Sequence, residues 1–243
     1  MIRVAEPGFH HFEPWNDMGT LTRFDISGSR CPVFIETGTG NGTSLCHVVD
    51  SADFSRAFSI EVHELTAMRA KARFVGDRKV EVIHARSTDG LREVFSRIPA
   101  GQDALIFLDA HFPGEVDPDF AGYENMTPGS ESLPLAEELK LIAELRPDTK
   151  DIIVVDDLNL FEQGDYENGN IESGYANIST DDRNLDFVAG LFPGHIIERD
   201  RRDEGYLIIR PRDSAFALRE LSSWYRMKRS LKRHLSKLRR RQS

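Results

Sequence analysis

Cysteines are few in this sequence, and long apolar runs are absent from it. With only two cysteines among 243 residues, a disulfide scaffold is not expected, and a reducing, cytoplasmic compartment is the simplest expectation. The longest apolar runs, such as 104–108 and 152–155, reach strand length and fall far short of the roughly 20 residues that cross a bilayer. The first 30 residues contain four acids and no apolar block, so a secretory signal is not expected.

Acidic residues are missing from one segment of the chain, and that segment holds much of the positive charge. Residues 226–241 contain nine Lys and Arg and no Asp or Glu, whereas the whole chain has 31 basic and 40 acidic residues. Removing the nine leaves 22 basic against 40 acidic residues, a net charge of −18 for the rest of the protein. Because so acidic a body repels polyanions, we do not expect nucleic acid as a partner.

The basic segment also has a helical pattern of apolar residues. After Pro211 they recur every three or four positions, namely at Leu218, Leu221, Trp224, Tyr225, Met227, Leu231, Leu235 and Leu238. This spacing predicts a basic amphipathic helix, suited to the acidic body, to a second copy of the chain or to an anionic membrane surface. We expect packing on the body or a homo-oligomer, and membrane-surface association stays open.

Short β-rich runs alternate with helical patterns through the rest of the chain. Strands are predicted at 33–37, 57–61, 80–84, 104–109, 151–156, 195–199 and 205–210, and helices at 42–49, 64–74, 88–98 and 133–145. Successive strand–helix units predict a parallel sheet with helices on both faces, while the short turn 200–204 makes the last two strands an antiparallel hairpin. The predicted fold is therefore an α/β, Rossmann-like, doubly wound seven-stranded sheet, mostly parallel with a C-terminal antiparallel hairpin.

Two long polar loops interrupt this alternation. Residues 110–130 and 157–178 are rich in Gly, Asn, Pro and acids, and each follows the carboxyl end of a predicted strand. Ligands bind at that edge of open α/β sheets, so we expect both loops to border a ligand site. We divide the chain into an N-terminal cap segment at 1–32, a central domain at 33–211 and the basic tail at 212–243.

A glycine-rich turn follows the first of these strands. Gly38, Gly40 and Gly42 let the backbone turn sharply and approach a ligand closely. Glu36 precedes the turn, and no Lys or Arg lies in residues 32–54. A carboxylate here disfavours a pyrophosphate and favours a positively charged ligand that carries an ammonium and a sulfonium.

With Glu61 at the end of the next strand, where an acid can bind a ribose diol, this turn resembles that of the class I S-adenosylmethionine-dependent methyltransferases. The resemblance covers residues 33–210, and that family's sheet also ends in an antiparallel hairpin. It implies S-adenosylmethionine as cofactor. The cofactor-binding residues that it implies are Glu36, Gly38, Gly40 and Gly42 at the methionine end, Glu61 at the ribose and Ser87 near the adenine. Asp109 is added to them because an acid at that strand end favours the sulfonium and amino group of the same cofactor.

Three aspartates end two neighbouring predicted strands, Asp109 in one case and Asp156 with Asp157 in the other. Converging carboxylates repel one another unless they are protonated or bridged by a cation, and such hard oxygen ligands suit Mg²⁺ or a similar divalent ion. The pattern resembles the metal-dependent O-methyltransferases of the catechol and macrocin type. That resemblance implies metal-assisted methyl transfer to an oxygen of a small molecule or sugar. Alternatively, Asp156 and Asp157 only cap the following turn.

His111 is the titratable side chain nearest to these aspartates. It could take the acceptor's proton as general base, which makes Asp109 and His111 the candidate catalytic residues. It could equally bind the metal or pack inside the loop. The acids of residues 131–138 are interpreted as a charge pattern at a helix start rather than as ligands.

Two other functions stay open at this point. An NAD(P)-dependent oxidoreductase would share a doubly wound sheet, but Glu36, the hairpin and Thr43, which stands where the dinucleotide fingerprint has its third glycine, disfavour it. A non-catalytic, cofactor-binding module would act through its basic tail and turn over no acceptor.

Overall fold

The predicted strand–helix units form in the computed structural model, which describes residues 21–51, 53–111, 133–171 and 184–222. The strands are β1 (Phe24–Asp25), β2 (Val33–Thr37), β3 (Arg56–Glu61), β4 (Val80–His84), β5 (Ala104–Leu108), β6 (Ile152–Val155), β7 (His195–Asp200), β8 (Tyr206–Pro211) and β9 (Arg219–Glu220). The helices are α1 (Thr43–Ser51), α2 (Glu64–Arg73), α3 (Ser87–Arg97), α4 (Leu135–Leu145) and α5 (Phe187–Leu191). All seven predicted strands and four predicted helices are confirmed, with each end within two residues of its predicted position.

Seven of the strands form one sheet in the order β4-β3-β2-β5-β6-β8-β7. The first five in that order are parallel, whereas β8 is antiparallel to both β6 and β7. The strand order reverses at β2, which pairs with β3 on one side and with β5 on the other. Ligands of open α/β sheets bind outside the carboxyl ends of the strands at such a reversal. The predicted doubly wound, mostly parallel sheet is confirmed.

Side-chain alternation along the central strands builds a core on each face of the sheet. Ile35 and Ile106 share one core with apolar residues of α3 and α4. Phe34 and Phe107 share the other with apolar residues of α1 and α2. Because both faces are buried, the central strands are continuous apolar runs rather than alternating ones.

The segments on both sides of the predicted central domain also join its core. Leu21, Phe24 and Ile26 before β2, and Phe216 and Leu218 after β8, are buried in the core that includes α1 and α2. In addition, β1 pairs antiparallel with β9 as a separate two-stranded sheet. The packed unit therefore extends past the predicted limits at 33 and 211.

The helix predicted after Pro211 is wrong for the part of the tail that the structure describes. Residues 212–222 contain β9 and no helix, and Phe216 and Leu218 are buried two positions apart, which is the period of a strand. Arg23 pairs with Glu220 at 2.6 Å and ties β9 to the start of the described chain. The rest of the predicted tail, including its nine cations, lies outside the described residues.

The two predicted loops are described only in part, at residues 110–111 and 157–171, and their remaining residues lie outside the described ranges. The short helix α5 is absent from the sequence prediction because five residues are too few to show helical periodicity. None of the helices in the described ranges is long and apolar enough to span a bilayer.

Candidate functional site

The glycine loop between β2 and α1 turns at three glycines with positive φ angles. Gly38, Gly40 and Gly42 have φ values of 82°, 47° and 69°, a region that glycine adopts at little cost. A Cβ on Gly38 would stand 2.1 Å from the backbone oxygen of Asp109. The loop therefore lies directly against the chain that leaves β5, at the point where the strand order reverses.

Glu61 is buried and fastens the glycine loop. Its Oε2 accepts a hydrogen bond from the backbone N–H of Gly40 at 2.9 Å, and its Oε1 accepts one from His63 N–H at 2.8 Å. The sequence predicts a ribose contact for this acid and misses its part in shaping the loop. Each carboxylate oxygen can accept a second hydrogen bond, so the ribose contact stays a prediction.

Glu36 is buried below the same loop, next to two hydroxyl groups. Its Oε2 accepts a hydrogen bond from Ser59 Oγ at 2.5 Å, and Ser59 Oγ lies 2.6 Å from Thr39 Oγ1. Burial raises the pKa of Glu36 well above its ordinary value, although the hydrogen bond from Ser59 opposes the rise. The charges of Asp109 and Glu61 add to that rise. Such a carboxyl group ionises most readily when a cation lies beside it.

His111 brings the ends of β5 and β6 together. Its Nε2 forms a short hydrogen bond with Asp157 Oδ2 and lies 3.7 Å from Asp109 Oδ1. Burial lowers the pKa of His111, but the charge and hydrogen bond of Asp157 and the charge of Asp109 outweigh it and raise the pKa to about 9. Burial raises the pKa of Asp109 to about 7, against the pull of His111. Since 29% of the Asp109 side chain is exposed, water screens part of this effect.

Asp156 is buried, and its carboxyl group is bonded to the backbone of the next residue. Its Oδ1 accepts a hydrogen bond from Asp157 N–H at 2.9 Å, and burial together with the charge of Asp157 raises the pKa of Asp156 well above its ordinary value. Asp157 itself has a left-handed backbone with φ of 48°.

The aspartate arrangement bears directly on the predicted metal. Across the described ranges, no three His, Cys, Asp or Glu side chains are placed to hold an ion. Asp156 Oδ1 already accepts a backbone N–H and Asp157 Oδ2 is bonded to His111, so one oxygen of each of these two carboxylates is engaged within the protein. The described residues therefore do not fit a divalent ion in this arrangement, and the predicted metal-ligand roles of Asp109, Asp156 and Asp157 receive no support from it.

Glu138 is a site residue that the sequence interpretation missed. This side chain of α4 is 1% exposed and lines a small cavity together with His111. Burial raises the pKa of Glu138 to about 7, opposed by the hydroxyls of Ser87 and Thr37 and by the charge of His111. A signal was present, since Glu138 is three positions after Leu135 and falls on the apolar face of the helix.

Ser87, the predicted adenine contact, is the first residue of α3 and is 9% exposed. Its hydroxyl faces Glu138 closely enough to lower the pKa of that carboxyl group. The structure thus places Ser87 beside the buried acid of α4, and its contact with an adenine stays a prediction.

The turn between β7 and β8 anchors the loop that follows β6. Leu158 N–H donates to Gly205 O in that turn at 2.9 Å. Arg23 pairs with Asp203 of the same turn at 2.5 Å and with Glu167 of the loop at 2.6 Å. The loop that begins at Asp157 is therefore bonded both to this turn and to Arg23.

The sequence matches no protein-family model and no curated protein. Among solved structures, a protein described as a caffeoyl-CoA O-methyltransferase from Staphylococcus aureus is similar over 75% of this chain and 77% of its own, with 15% identity and a TM-score of 0.50. The SAH-bound methyltransferase PaMTH1 from Podospora anserina has 19% identity over 75% of this chain and 72% of its own, with a TM-score of 0.48. An O-methyltransferase from Bacillus cereus in complex with SAH has 16% identity over 77% and 76%, with a TM-score of 0.47. The first likeness establishes the fold, and the chain has the fold of the class I S-adenosylmethionine-dependent methyltransferases.

Proposed function

We propose that this protein transfers a methyl group from S-adenosylmethionine to an oxygen atom of a small-molecule or sugar acceptor. The observation that carries the proposal is the acidic setting of the glycine loop. Glu36 is buried below the loop, Glu61 is bonded to it, and no Lys or Arg occurs in residues 32–54. An ammonium and a sulfonium are favoured there over the pyrophosphate of a dinucleotide.

The main contribution that we assign to the protein is positioning. The Gly38 backbone lies against Asp109, so a ligand on the glycine loop is brought beside Asp109 and His111. S-adenosylmethionine, when bound, supplies a methyl group on a positively charged sulfur. The described residues then have to hold the acceptor close to that methyl group and in line with it. Such positioning lowers the entropic part of the activation barrier.

His111 is the residue to which we assign the acceptor's proton. Its Nε2 is bonded to Asp157, which orients the ring and leaves Nδ1 as the nitrogen that accepts a proton. Asp109, 3.7 Å away, stabilises the positive charge that the ring then gains. Because the pKa of His111 stands at about 9, only the deprotonated fraction of the ring acts as base.

The base assignment is tested by His111→Ala and Asp157→Asn. Both variants should lower turnover by about 10²-fold or more, which is the scale of general acid–base catalysis. Both should keep the affinity for SAH, the demethylated product of the cofactor, within twofold of the wild type. His195→Ala, on the edge strand β7, is the matched control and should leave both quantities unchanged. Wild-type turnover in the His111 variant would reject the assignment.

Divalent-metal assistance, predicted from the sequence, is kept as a prediction, and no step is derived through an ion. Its test is turnover in excess chelator with SAH affinity measured in parallel. Loss of turnover with affinity retained would support a metal on the acceptor side. Full turnover would reject it and leave the fold and the cofactor untouched.

Calorimetry tests the cofactor itself. We expect SAH to bind and NAD to bind far more weakly. Glu61→Ala should weaken SAH binding by about tenfold, because the variant loses both the loop anchor and the predicted ribose contact. Glu64→Ala, exposed at the start of α2, should bind as the wild type does. Equal or tighter binding of NAD would overturn the methyltransferase proposal in favour of an oxidoreductase.

The cytoplasmic location and the partners of the basic tail stay predictions. Residues 223–243 lie outside the described ranges. The predictions of a homo-oligomer, of membrane-surface association and of a non-catalytic module all depend on these residues.

A further inference from the structure

A carboxyl group occupies a core position on α4. Leu135, Leu139 and Ile142 on one face of this helix are buried, and Glu138 on the same face is as buried as they are, with 1% exposure. Burying a carboxyl group among apolar side chains is costly unless a partner compensates it. A buried acid at such a position therefore needs an explanation.

The described residues do not supply that partner in full. Glu138 Oε1 and Thr37 Oγ1 are both buried, and neither has a hydrogen-bond partner among the described residues. The hydroxyls of Ser87 and Thr37 lie close enough to act as donors that lower the pKa of Glu138, and the charge of His111 lowers it too, but neither hydroxyl has hydrogen-bond geometry to Oε1. These two atoms remain unsatisfied, although buried polar groups are nearly always hydrogen-bonded.

Glu138 also lines a small cavity. Its volume is about 10 Å³, about the room of one water molecule or of one terminal hydroxyl or amino group. Among the residues that the structure describes, the polar side chains in its wall are Glu138 and His111, and the others are apolar, including Leu108, Leu135, Val155 and Phe161. Glu138 therefore shares this cavity with the residue that we assign as the base.

We propose that Glu138 binds the methyl acceptor, accepting a hydrogen bond from an acceptor hydroxyl or amino group held beside His111. The inference rests on the proposed function and adds a substrate class to it. Asp109, Asp157 and Glu138 face this part of the site, and the His111 ring is their nearest cation. A neutral or cationic acceptor with a hydrogen-bond donor fits these charges, and a phosphate or carboxylate beside the reacting atom does not.

The first test is a crystal structure of the wild-type SAH complex grown with ethanolamine, a probe that has both donor groups. We expect a water molecule or a probe donor within hydrogen-bond distance of Glu138 Oε1. A protein donor on that oxygen, with the cavity closed, would overturn the proposal, because the carboxyl group would then be an internal structural acceptor.

The second test separates binding from structure by melting temperature. Glu138→Leu places an apolar side chain among apolar neighbours, so we expect a melting temperature at or above that of the wild type. Glu137→Leu, at the adjacent exposed position, is the matched control and should leave the melting temperature unchanged. A clear drop for the Glu138 variant alone would show a structural role and overturn the proposal.

The third test is kinetic, with any hydroxyl compound that the wild type methylates on oxygen. Glu138→Gln keeps an acceptor oxygen but removes its charge, so it should raise the KM for that acceptor about tenfold, the difference between a charged and a neutral hydrogen bond, and should leave the KM for S-adenosylmethionine unchanged. Glu137→Gln should change neither. If the wild type binds no SAH, the proposed function fails; if it binds SAH while Glu138 has a protein donor or is needed for folding, only the role of Glu138 fails.

Discussion

Two buried groups of charged side chains lie at opposite edges of the sheet, and they are built differently. At the amino edge, Asp151 accepts hydrogen bonds from Arg146 Nε at 2.5 Å, from Ala104 N–H at 2.7 Å and from Thr149 Oγ1 at 2.7 Å. Arg146 also donates to Gln102 O at 2.7 Å. The negative charge of Asp151 is therefore balanced by Arg146, and both side chains have hydrogen-bond partners.

At the carboxyl edge, the described acidic side chains outnumber the cations beside them, and at least one buried oxygen lacks a hydrogen bond. Asp109, Asp156 and Glu138 all have raised pKa values because they are buried, and the His111 imidazole is the cation that lies among them. Glu138 Oε1 lacks a hydrogen-bond partner among the described residues. The contrast agrees with our proposal that the second group binds ligands, since functional sites keep perturbed pKa values at a cost in stability, whereas the first group is paired within the fold.

The largest effect is expected from breaking the matched group. Asp151→Ala leaves the Arg146 guanidinium buried without its partner, which should lower the free energy of unfolding by about 3–5 kcal/mol. Asp148→Ala, exposed in the same turn, should leave it unchanged. Urea denaturation measures both variants. If the Asp151 variant unfolds at the same urea concentration as the wild type, the amino-edge group contributes no more to the free energy of unfolding than the carboxyl-edge group does.

A smaller loss is expected from crowding the carboxyl edge. Gly38→Ala places a Cβ 2.1 Å from Asp109 O, which should cost about 1–3 kcal/mol of overpacking besides the strain of its positive φ, and should abolish SAH binding. Gly76→Ala has a similar φ of 95° and no atom within 4 Å, so it should show the backbone strain alone, about 1 kcal/mol. Equal losses in the two variants would contradict the close approach at Gly38.

Removing a charge from the carboxyl edge should raise stability. Burial raises the pKa of Glu36, so the folded protein binds its proton more tightly than the unfolded chain, and stability falls as pH rises from about 4.3 towards the folded pKa. Glu36→Gln cannot ionise, so the ligand-free variant should melt above the wild type at pH 8, with the difference shrinking towards pH 4.5. Glu64→Gln, exposed on α2, is the control, and thermal melts across this range measure both. A pH-independent difference would contradict the raised pKa.

The smallest effect is expected from a charged pair outside both groups. Lys150 and Asp213 pair at 2.5 Å, and each side chain is 65% exposed. Lys150→Ala should leave the melting temperature within experimental error, since solvent and salt screen such pairs. A drop comparable to that of Asp151→Ala would show that burial is not what distinguishes the amino-edge group.

Most of the fold could be predicted from the sequence because its evidence is local. The parallel strands are short apolar runs, and α4 shows its buried face through the spacing of Leu135, Leu139 and Ile142. The glycine turn and the short turn before β8 likewise restrict the backbone by their own residues. The tail is the exception among the described elements: Leu218 fits a helical stripe in the sequence, but it packs into the core together with Phe216, and the pairing of β9 with β1 makes this segment extended.

The site could be predicted only as a set of residues. Asp109, His111 and Asp157 are brought together as expected, but the prediction that the aspartates face an ion receives no support, because His111 and a backbone N–H occupy two of them. Glu138 was interpreted as part of a helix-start charge pattern, although its position three residues after Leu135 places it on the apolar face of α4.

The sequence by itself determined the strand and helix pattern, the doubly wound sheet, the hairpin and the acidic glycine turn, because each depends on residues close together in the chain. Only the tertiary structure decided which acids are paired, which are buried and which are left unsatisfied. His111 and Asp157 are 46 positions apart, and Glu61 and Gly40 are 21 apart. Burial and hydrogen bonding between such distant residues depend on how the strands and helices pack, and no local pattern contains that information.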